Sequence, residues 1–186
     1  MLVLASQSPR RQEILAAAGF QFIVRPPSIP ELRLPGEAPI PYVIRLAQEK
    51  AAAVDCAPHE LIFAADTVVV AGHRVLEKPR DAADAGSMLH LLAGREHQVV
   101  TGICLRNAGR QVSDYAATTV FFSRMSDQQI ESYVASGEPL DKAGAYAIQG
   151  LASKFIHRIE GCYFNVVGLP ISLFYKHLLE FGEPAP

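Results

Sequence analysis

Asp66 interrupts the run Leu61-Ile-Phe-Ala-Ala-Asp-Thr-Val-Val-Val70, whose other members are almost all apolar. A carboxylate in such a run is costly unless it pairs, binds a metal or stands where a strand ends at a cleft. It is either an Asx-turn at a strand end or a metal ligand or general base at a sheet edge, where α/β sites commonly lie. Thr67 follows it directly. Arg10 and Arg11 form a second anomaly, because Ser8-Pro9 before them reads as a helix start, with Ser8 as N-cap and Pro9 in the first turn. Helix N-termini favour acidic residues. Two arginines there are either solvated surface residues or, with the helix terminus, a receptor for phosphate. A third cluster is the loop Gly137-Glu-Pro-Leu-Asp-Lys-Ala-Gly-Ala-Tyr-Ala-Ile-Gln-Gly150. Its glycines and proline shape a turn-rich segment dense in polar groups, which is either an ordinary structured turn or a ligand-binding loop. Gln149 within it offers both a donor and an acceptor, which suits reading the edge of a base. Lys50, Lys78 and Glu31 carry weaker signals and, taken singly, read as solvated side chains.

The elements that must position these residues follow from periodicity and punctuation. Leu2–Ala5 is a short buried strand, and the helix opened at Ser8-Pro9 ends at Gly19. Phe20–Arg25 reads as a strand and Pro41–Val54 as a helix, with Val43, Leu46, Ala47 and Ala51 at helical spacing. Between them, Pro26 to Pro41 holds six of the 13 prolines and reads as a long ordered loop. Leu61–Ala71 is a strand turning at Gly72-His73 into a short partner, Arg74–Leu76. Asp81 caps a helix through Leu92. Gln98–Arg106 and Gln111–Phe122 flank a hairpin signal at Asn107-Ala-Gly109. Ser126 caps a helix through Ser136, Ser153–Ile159 is a strand, and Val167–Phe181 holds the last helix, whose start Tyr163, Asn165, Gly168 and Pro170 are expected to fix. Early alternation of strands and helices, then a long hairpin, predicts α/β with a mixed sheet and flanking helices.

Composition narrows the function classes. The chain has 186 residues, 49% hydrophobic and 19% charged, which suits one globular domain, 1–182, with residues 183–186 expected to fray. A net charge of -2 lacks the basic field of a nucleic-acid binder, so no stable nucleic-acid partner is expected. Three cysteines without a CxxC pair indicate neither a disulfide framework nor a zinc site, and fit a reducing cytoplasm. The N-terminus has no basic n-region, and the apolar stretch Leu61–Gly72 is too short to span a membrane, so no membrane partner is expected. Both standard phosphate loops, GxGxxG and GxxxxGK[ST], are absent. No serine or cysteine nucleophile with a paired base is evident.

Taken together, Ala5-Ser-Gln-Ser-Pro-Arg-Arg11, Glu31, Arg45-Leu-Ala-Gln-Glu-Lys-Ala51, Ala65-Asp-Thr-Val-Val69, Glu77-Lys-Pro79, His97 with Thr101-Gly102, the Gly137–Gly150 loop and Asn165-Val-Val-Gly-Leu-Pro170 resemble the Maf family of nucleoside triphosphate pyrophosphatases. These blocks span almost the whole chain in the family order. Departures are small: Ala64-Ala65 precede Asp66 where Gly-Ala is common, and Ala147 stands where glycine is common. The resemblance implies an elongated, two-lobed single domain with a central cleft, similar to inosine triphosphate pyrophosphatases. It implies hydrolysis of dTTP, UTP and modified pyrimidine triphosphates to the monophosphate and pyrophosphate. Asp66 matches the proton acceptor, and Asp66 with Glu31 the surroundings of a divalent metal, Mg²⁺ or Mn²⁺. Ser8, Arg10, Arg11, Lys50 and Lys78 match positions around the phosphates, with Lys50 and Lys78 joining Asp66 and Glu31 in the catalytic set. Arg10, Thr67 and Gln149 match positions that mark the dTTP/UTP subgroup. A homodimer is implied at family level. The competing expectation is a nucleotide-binding regulator of cell division or septum formation that needs no catalysis.

Overall fold

A computed structural model describes residues 1–182; the segment expected to fray, 183–186, lies outside the described residues. The elements are β1 (Leu2–Leu4), α1 (Pro9–Ala17), β2 (Phe22–Val24), α2 (Pro39–Ala52), β3 (Leu61–Ala71), β4 (Arg74–Leu76), α3 (Ala82–Leu92), β5 (Glu96–Arg106), β6 (Gln111–Phe122), α4 (Asp127–Ala135), β7 (Ile156–Glu160), α5 (Tyr163–Val167) and α6 (Ile171–Glu180). The strands form a seven-stranded mixed sheet in the order β2-β1-β3-β5-β6-β7, with β4 paired to β3. β1 runs parallel to both β2 and β3, whereas β3/β4 and β6/β7 are antiparallel. The mixed α/β class expected from the element order is therefore found.

The chain forms two compact units. The first comprises residues 1–66, 101–116 and the chain from Gly168 onward. Its register sets Val3 beside Ile62 on one side and Ile23 on the other. Val3, Ala5, Ile62, Ala64 and Cys104 pack with Ala47 and Ala51 of α2 in a core of small side chains. Small residues let helix and sheet approach closely. The limiting case is Gly102, where an added Cβ would lie 2.4 Å from the Val43 carbonyl oxygen of α2. On the other side of this unit Phe174 of α6 packs against Phe63 and edge-on to Phe20, with ring centroids 4.4 and 5.3 Å away.

The second unit comprises residues 67–100 and 117–167. Its core gathers Val69, Leu89, Leu92, Phe122, Tyr146 and Phe155. Two helices here begin as their sequences predict. Asp81 accepts from the Asp84 amide at 2.8 Å, and Ser126 and Gln129 close a reciprocal capping box.

Several expected boundaries need correction. Helix α2 starts at Pro39 rather than Pro41, because proline suits the first helical turn and Pro39 arrives first. Strand β2 spans only Phe22–Val24 and β5 begins at Glu96. Ser153–Phe155 belongs to a 3₁₀ turn over Leu151–Phe155, and strand β7 starts only at Ile156. The last helix stays within the expected Val167–Phe181, running Ile171–Glu180 with Pro170 as its N-cap, but a short helix that was not expected, Tyr163–Val167, precedes it. Gly168 adopts φ 122°, a conformation that favours glycine, and Pro170 offers no N–H, so the chain leaves α5 and restarts at Ile171. Asn165 does more than mark a helix start. It is fully buried, and its amide nitrogen donates to the Val99 carbonyl at 2.9 Å and to Thr118 Oγ1 at 3.0 Å.

Candidate active site

In the first unit β3 delivers Asp66 and α2 delivers Lys50. Both are buried, each 6% exposed. Lys50 Nζ donates to Asp66 Oδ1 at 2.6 Å and pairs with Glu31 Oε1 at 2.9 Å. Lys50 thus sits between two carboxylates and is not the solvated lysine that its helix position alone suggests. Burial pushes the Asp66 carboxyl above its ordinary value, against the opposing pull of Lys50 and Arg11.

Glu31 lies on the proline-rich loop, with its side chain half-exposed. That loop is tied to α2 by Arg45, which stands on the same helix as Lys50. Arg45 Nη2 donates to the Leu32 carbonyl at 3.0 Å, and its Nε and Nη2 each meet the Glu37 carboxylate at 2.7 Å. The Arg45 hydrogen bonds hold the Glu37 carboxyl down at about 2. The sequence carried Arg45 in a recognised block but gave no sign of its partner, because nothing in local spacing couples residue 37 to residue 45.

Helix α1 presents the arginines. Ser8 has the extended backbone of an N-cap, but its side chain makes no capping hydrogen bond, and no acidic residue occupies the first turn. The expected hydroxyl cap is therefore absent; the Ser8 amide instead donates to Ser6 Oγ at 3.2 Å. The two arginines differ sharply. Arg10 is half-exposed. Arg11 is buried, with Nε donating to the Gly168 carbonyl at 2.9 Å and Nη1 to Ser6 Oγ at 3.1 Å. Burial lowers the Arg11 pKa, while Asp66 and Glu31 oppose that shift. Ser6 and the Gly168 carbonyl were missed in the sequence as positioning groups, although both fall inside recognised blocks.

An uncapped helix start with a half-exposed arginine can receive an oxyanion. A buried carboxylate in contact with a lysine can take a proton from water once it is ionised. The oxygen donors of Asp66 and Glu31 also suit a hard divalent cation. Among the described residues no group of three or more His, Cys, Asp or Glu side chains forms a complete cage. Two carboxylates fit an ion that keeps waters and takes further oxygens from a substrate phosphate, and do not fit a closed structural site.

Thr67, Lys78 and Gln149 belong to the second unit. Thr67 is half-buried; Lys78 and Gln149 are exposed. The Gly137–Gly150 loop spends most of its polar groups on itself and its neighbours. Tyr146 is buried and shares a 2.8 Å hydrogen bond with His97 Nε2. Lys142 pairs with Asp141. Gly144, at φ 69°, donates its amide to the Glu77 carbonyl at 3.1 Å, and an added Cβ there would strike Val69.

The sheet order and its helices define a Ham1-type fold. The solved structure of the Staphylococcus aureus Ham1 protein superposes with a TM-score of 0.53 at 16% identity, covering 98% of this chain and 99% of that one. The sequence places the chain more narrowly: residues 1–181 match the family of Maf-like proteins, and the chain belongs to that family. It is 51% identical over 189 residues to the dTTP/UTP pyrophosphatase of Anaeromyxobacter dehalogenans (strain 2CP-C), covering 100% of this chain and 96% of the relative. It is 50% identical over 172 residues to the dTTP/UTP pyrophosphatase of Vibrio cholerae serotype O1 (strain ATCC 39315 / El Tor Inaba N16961), covering 91% and 92%.

Proposed function

We propose that this protein hydrolyses dTTP and UTP, with modified pyrimidine triphosphates, to the nucleoside monophosphate and pyrophosphate. The observation that carries the reading is an identity of 51% over the full chain to a dTTP/UTP pyrophosphatase. The buried Asp66–Lys50 pair supports the chemistry. Asp66 takes a proton from the attacking water, and the water oxygen bonds to phosphorus as the α–β anhydride bond breaks. The family resemblance assigns Arg10, Arg11, Ser8 and Lys78 to the anionic phosphates and the departing pyrophosphate, whose charge such cations stabilise. Lys50 balances Asp66 and Glu31 until substrate arrives.

Asp66 and Glu31 are the residues that would hold a divalent cation, Mg²⁺ or Mn²⁺, which when bound supplies charge neutralisation and Lewis acidity at the phosphates. The family resemblance assigns selection of the base to Gln149, Arg10 and Thr67. The Gln149 amide can donate to a carbonyl and accept from a ring N–H, the O4/N3–H edge that thymine and uracil share and cytosine lacks.

A cytoplasmic location goes with the same reading, supported by three cysteines that are all free. No helix among the described residues is long and apolar enough to cross a membrane. A homodimer is proposed from the family resemblance.

A nucleotide panel with Mg²⁺ or Mn²⁺, read by separate phosphate and pyrophosphate assays, tests the function. Pyrophosphate and monophosphate from dTTP and UTP are expected. Orthophosphate with a nucleoside diphosphate would overturn the cleavage site. A kcat/KM advantage for 7-methyl-GTP over both pyrimidines would overturn the substrate.

A further inference from the structure

The turn that carries Gln149 is held at both ends by one pair of side chains. The turn closes on itself through the Gly150 amide, which donates to the Ala147 carbonyl at 3.2 Å. At its leading end the Ala147 amide donates to Tyr133 Oη at 3.3 Å. The same hydroxyl donates its proton to Glu138 Oε1 at 2.8 Å. At the trailing end the Leu151 amide donates to Glu138 Oε2 at 3.0 Å. The Tyr133 hydroxyl and the Glu138 carboxylate thus bracket residues 147–151, and Gln149 is exposed between the anchors.

Two further features show that the bracket is built into the fold. Tyr133 is 4% exposed and stands on α4, whose start is fixed by its capping box. Gly150 lies against the carboxylate so closely that an added Cβ would be 2.3 Å from Glu138 Oε2. A side chain at position 150 would push Glu138 off the turn. Neither Tyr133 nor Glu138 stood out as more than loop or helix residues in the sequence, since the pairing needs the fold.

We infer that Tyr133 and Glu138 are positioning residues for substrate selection: their hydrogen-bonded pair fixes the 147–151 turn so that the Gln149 amide meets the O4/N3–H edge of a uracil or thymine base. This rests on the reading of Gln149 as the base contact. An exposed amide on an unbraced turn would sample many orientations, and selectivity by hydrogen bonding requires the donor and acceptor to be held in place. Tyr133→Phe keeps the ring in its core and removes only the hydroxyl. Glu138→Gln keeps the shape but leaves one acceptor oxygen for two donors, so it breaks the bracket at one end.

The experiment compares wild type, Tyr133→Phe, Glu138→Gln and Gln149→Ala. The readouts are kcat/KM for UTP and CTP, calorimetric affinities for UMP and CMP without turnover, and thermal melts. Tyr133→Phe and Glu138→Gln should each lower the UTP:CTP and UMP:CMP ratios by roughly threefold to tenfold, the scale of one hydrogen bond, chiefly through KM. Adding Tyr133→Phe to Gln149→Ala should change the ratio no further. If Tyr133→Phe melts below the assay temperature, Glu138→Gln carries the test. Equal losses for uracil and cytosine nucleotides would make the bracket a structural staple only and overturn the inference. So would ratios that collapse in Gln149→Ala but hold in both bracket variants. Ratios that hold in Gln149→Ala itself would instead remove Gln149 as the base contact, and the inference with it.

Discussion

Lys50 donates to Asp66 across 2.6 Å, and both side chains are only 8% exposed. Two charges so far removed from water persist because each neutralises the other, and the pairing costs more to break than it gains over an apolar pair. The arrangement explains how an acidic residue survives in an otherwise apolar strand.

Removing the lysine should therefore strand the carboxylate. Lys50→Met is expected to lower stability by about 3 kcal/mol, as for other buried pairs cut on one side. The same substitution in an Asp66→Asn background should cost clearly less, because no buried charge is left alone. Urea unfolding of the four proteins in the cycle gives the coupling. Equal losses in both backgrounds would mean that the lysine contributes packing and not charge.

Asp66→Asn keeps the shape and removes the carboxylate proposed as the proton acceptor. Turnover of dTTP should fall by at least ~10²-fold. Nucleotide affinity should survive or rise, since an anionic ligand then meets one negative charge fewer. Calorimetry with dTTP in chelator, beside a pyrophosphate assay in Mg²⁺, separates the two effects. A variant with near-wild-type turnover would disqualify Asp66 as the base.

Why Asp66 was legible in the sequence, and Tyr133 was not, has a physical reason. A lone carboxylate in an apolar run violates a local rule and announces itself. The Ser8-Pro9 helix start, the Asp81 and Ser126 caps and the long β3 strand were legible on the same ground, because local backbone chemistry dictates them. The entry to the last helix was legible at Gly168 and Pro170, whereas the short helix α5 before it was not, because a single helical turn carries too little periodicity to announce itself. The pairings Lys50 with Glu31, Arg45 with Glu37 and Tyr133 with Glu138 depend on loop paths, and no period in the sequence encodes those.

The two neighbouring arginines should separate in their effects. Arg10 is half-exposed, whereas Arg11 is anchored to Gly168 and Ser6. Arg10→Ala should weaken triphosphate binding by ~1.5–3 kcal/mol, the range of a charge-assisted hydrogen bond, and leave the melting temperature close to wild type. Arg11→Ala should lower both affinity and melting temperature, because it also leaves the Gly168 carbonyl and Ser6 hydroxyl short of a donor. Thermal melts beside dTTP and dTMP titrations check this. An Arg11→Ala protein as stable as wild type would contradict the anchoring role.

His97 gives the fold a pH dependence of its own. The imidazole is 3% exposed; Nε2 is engaged by Tyr146 at 2.8 Å, while Nδ1 is buried with no hydrogen-bond partner among the described residues. The protonated ring would carry a buried N–H with no acceptor, and burial accordingly pushes the His97 pKa down to about 4. In the unfolded chain the value is near 6.5. Between those values the unfolded chain binds more protons than the folded one, so stability rises with pH across that window. The contribution is complete above about pH 6.5 and is lost as pH falls towards 4, by roughly 3 kcal/mol in all. His97→Gln stays neutral throughout. It should be less stable than wild type at pH 7.5, because it fills the site less well, but the gap should narrow by most of that amount by pH 4.5. Urea midpoints at several pH values across this range measure it. A gap that stays constant from pH 7.5 to 4.5 would show that His97 is not titrating between the two states.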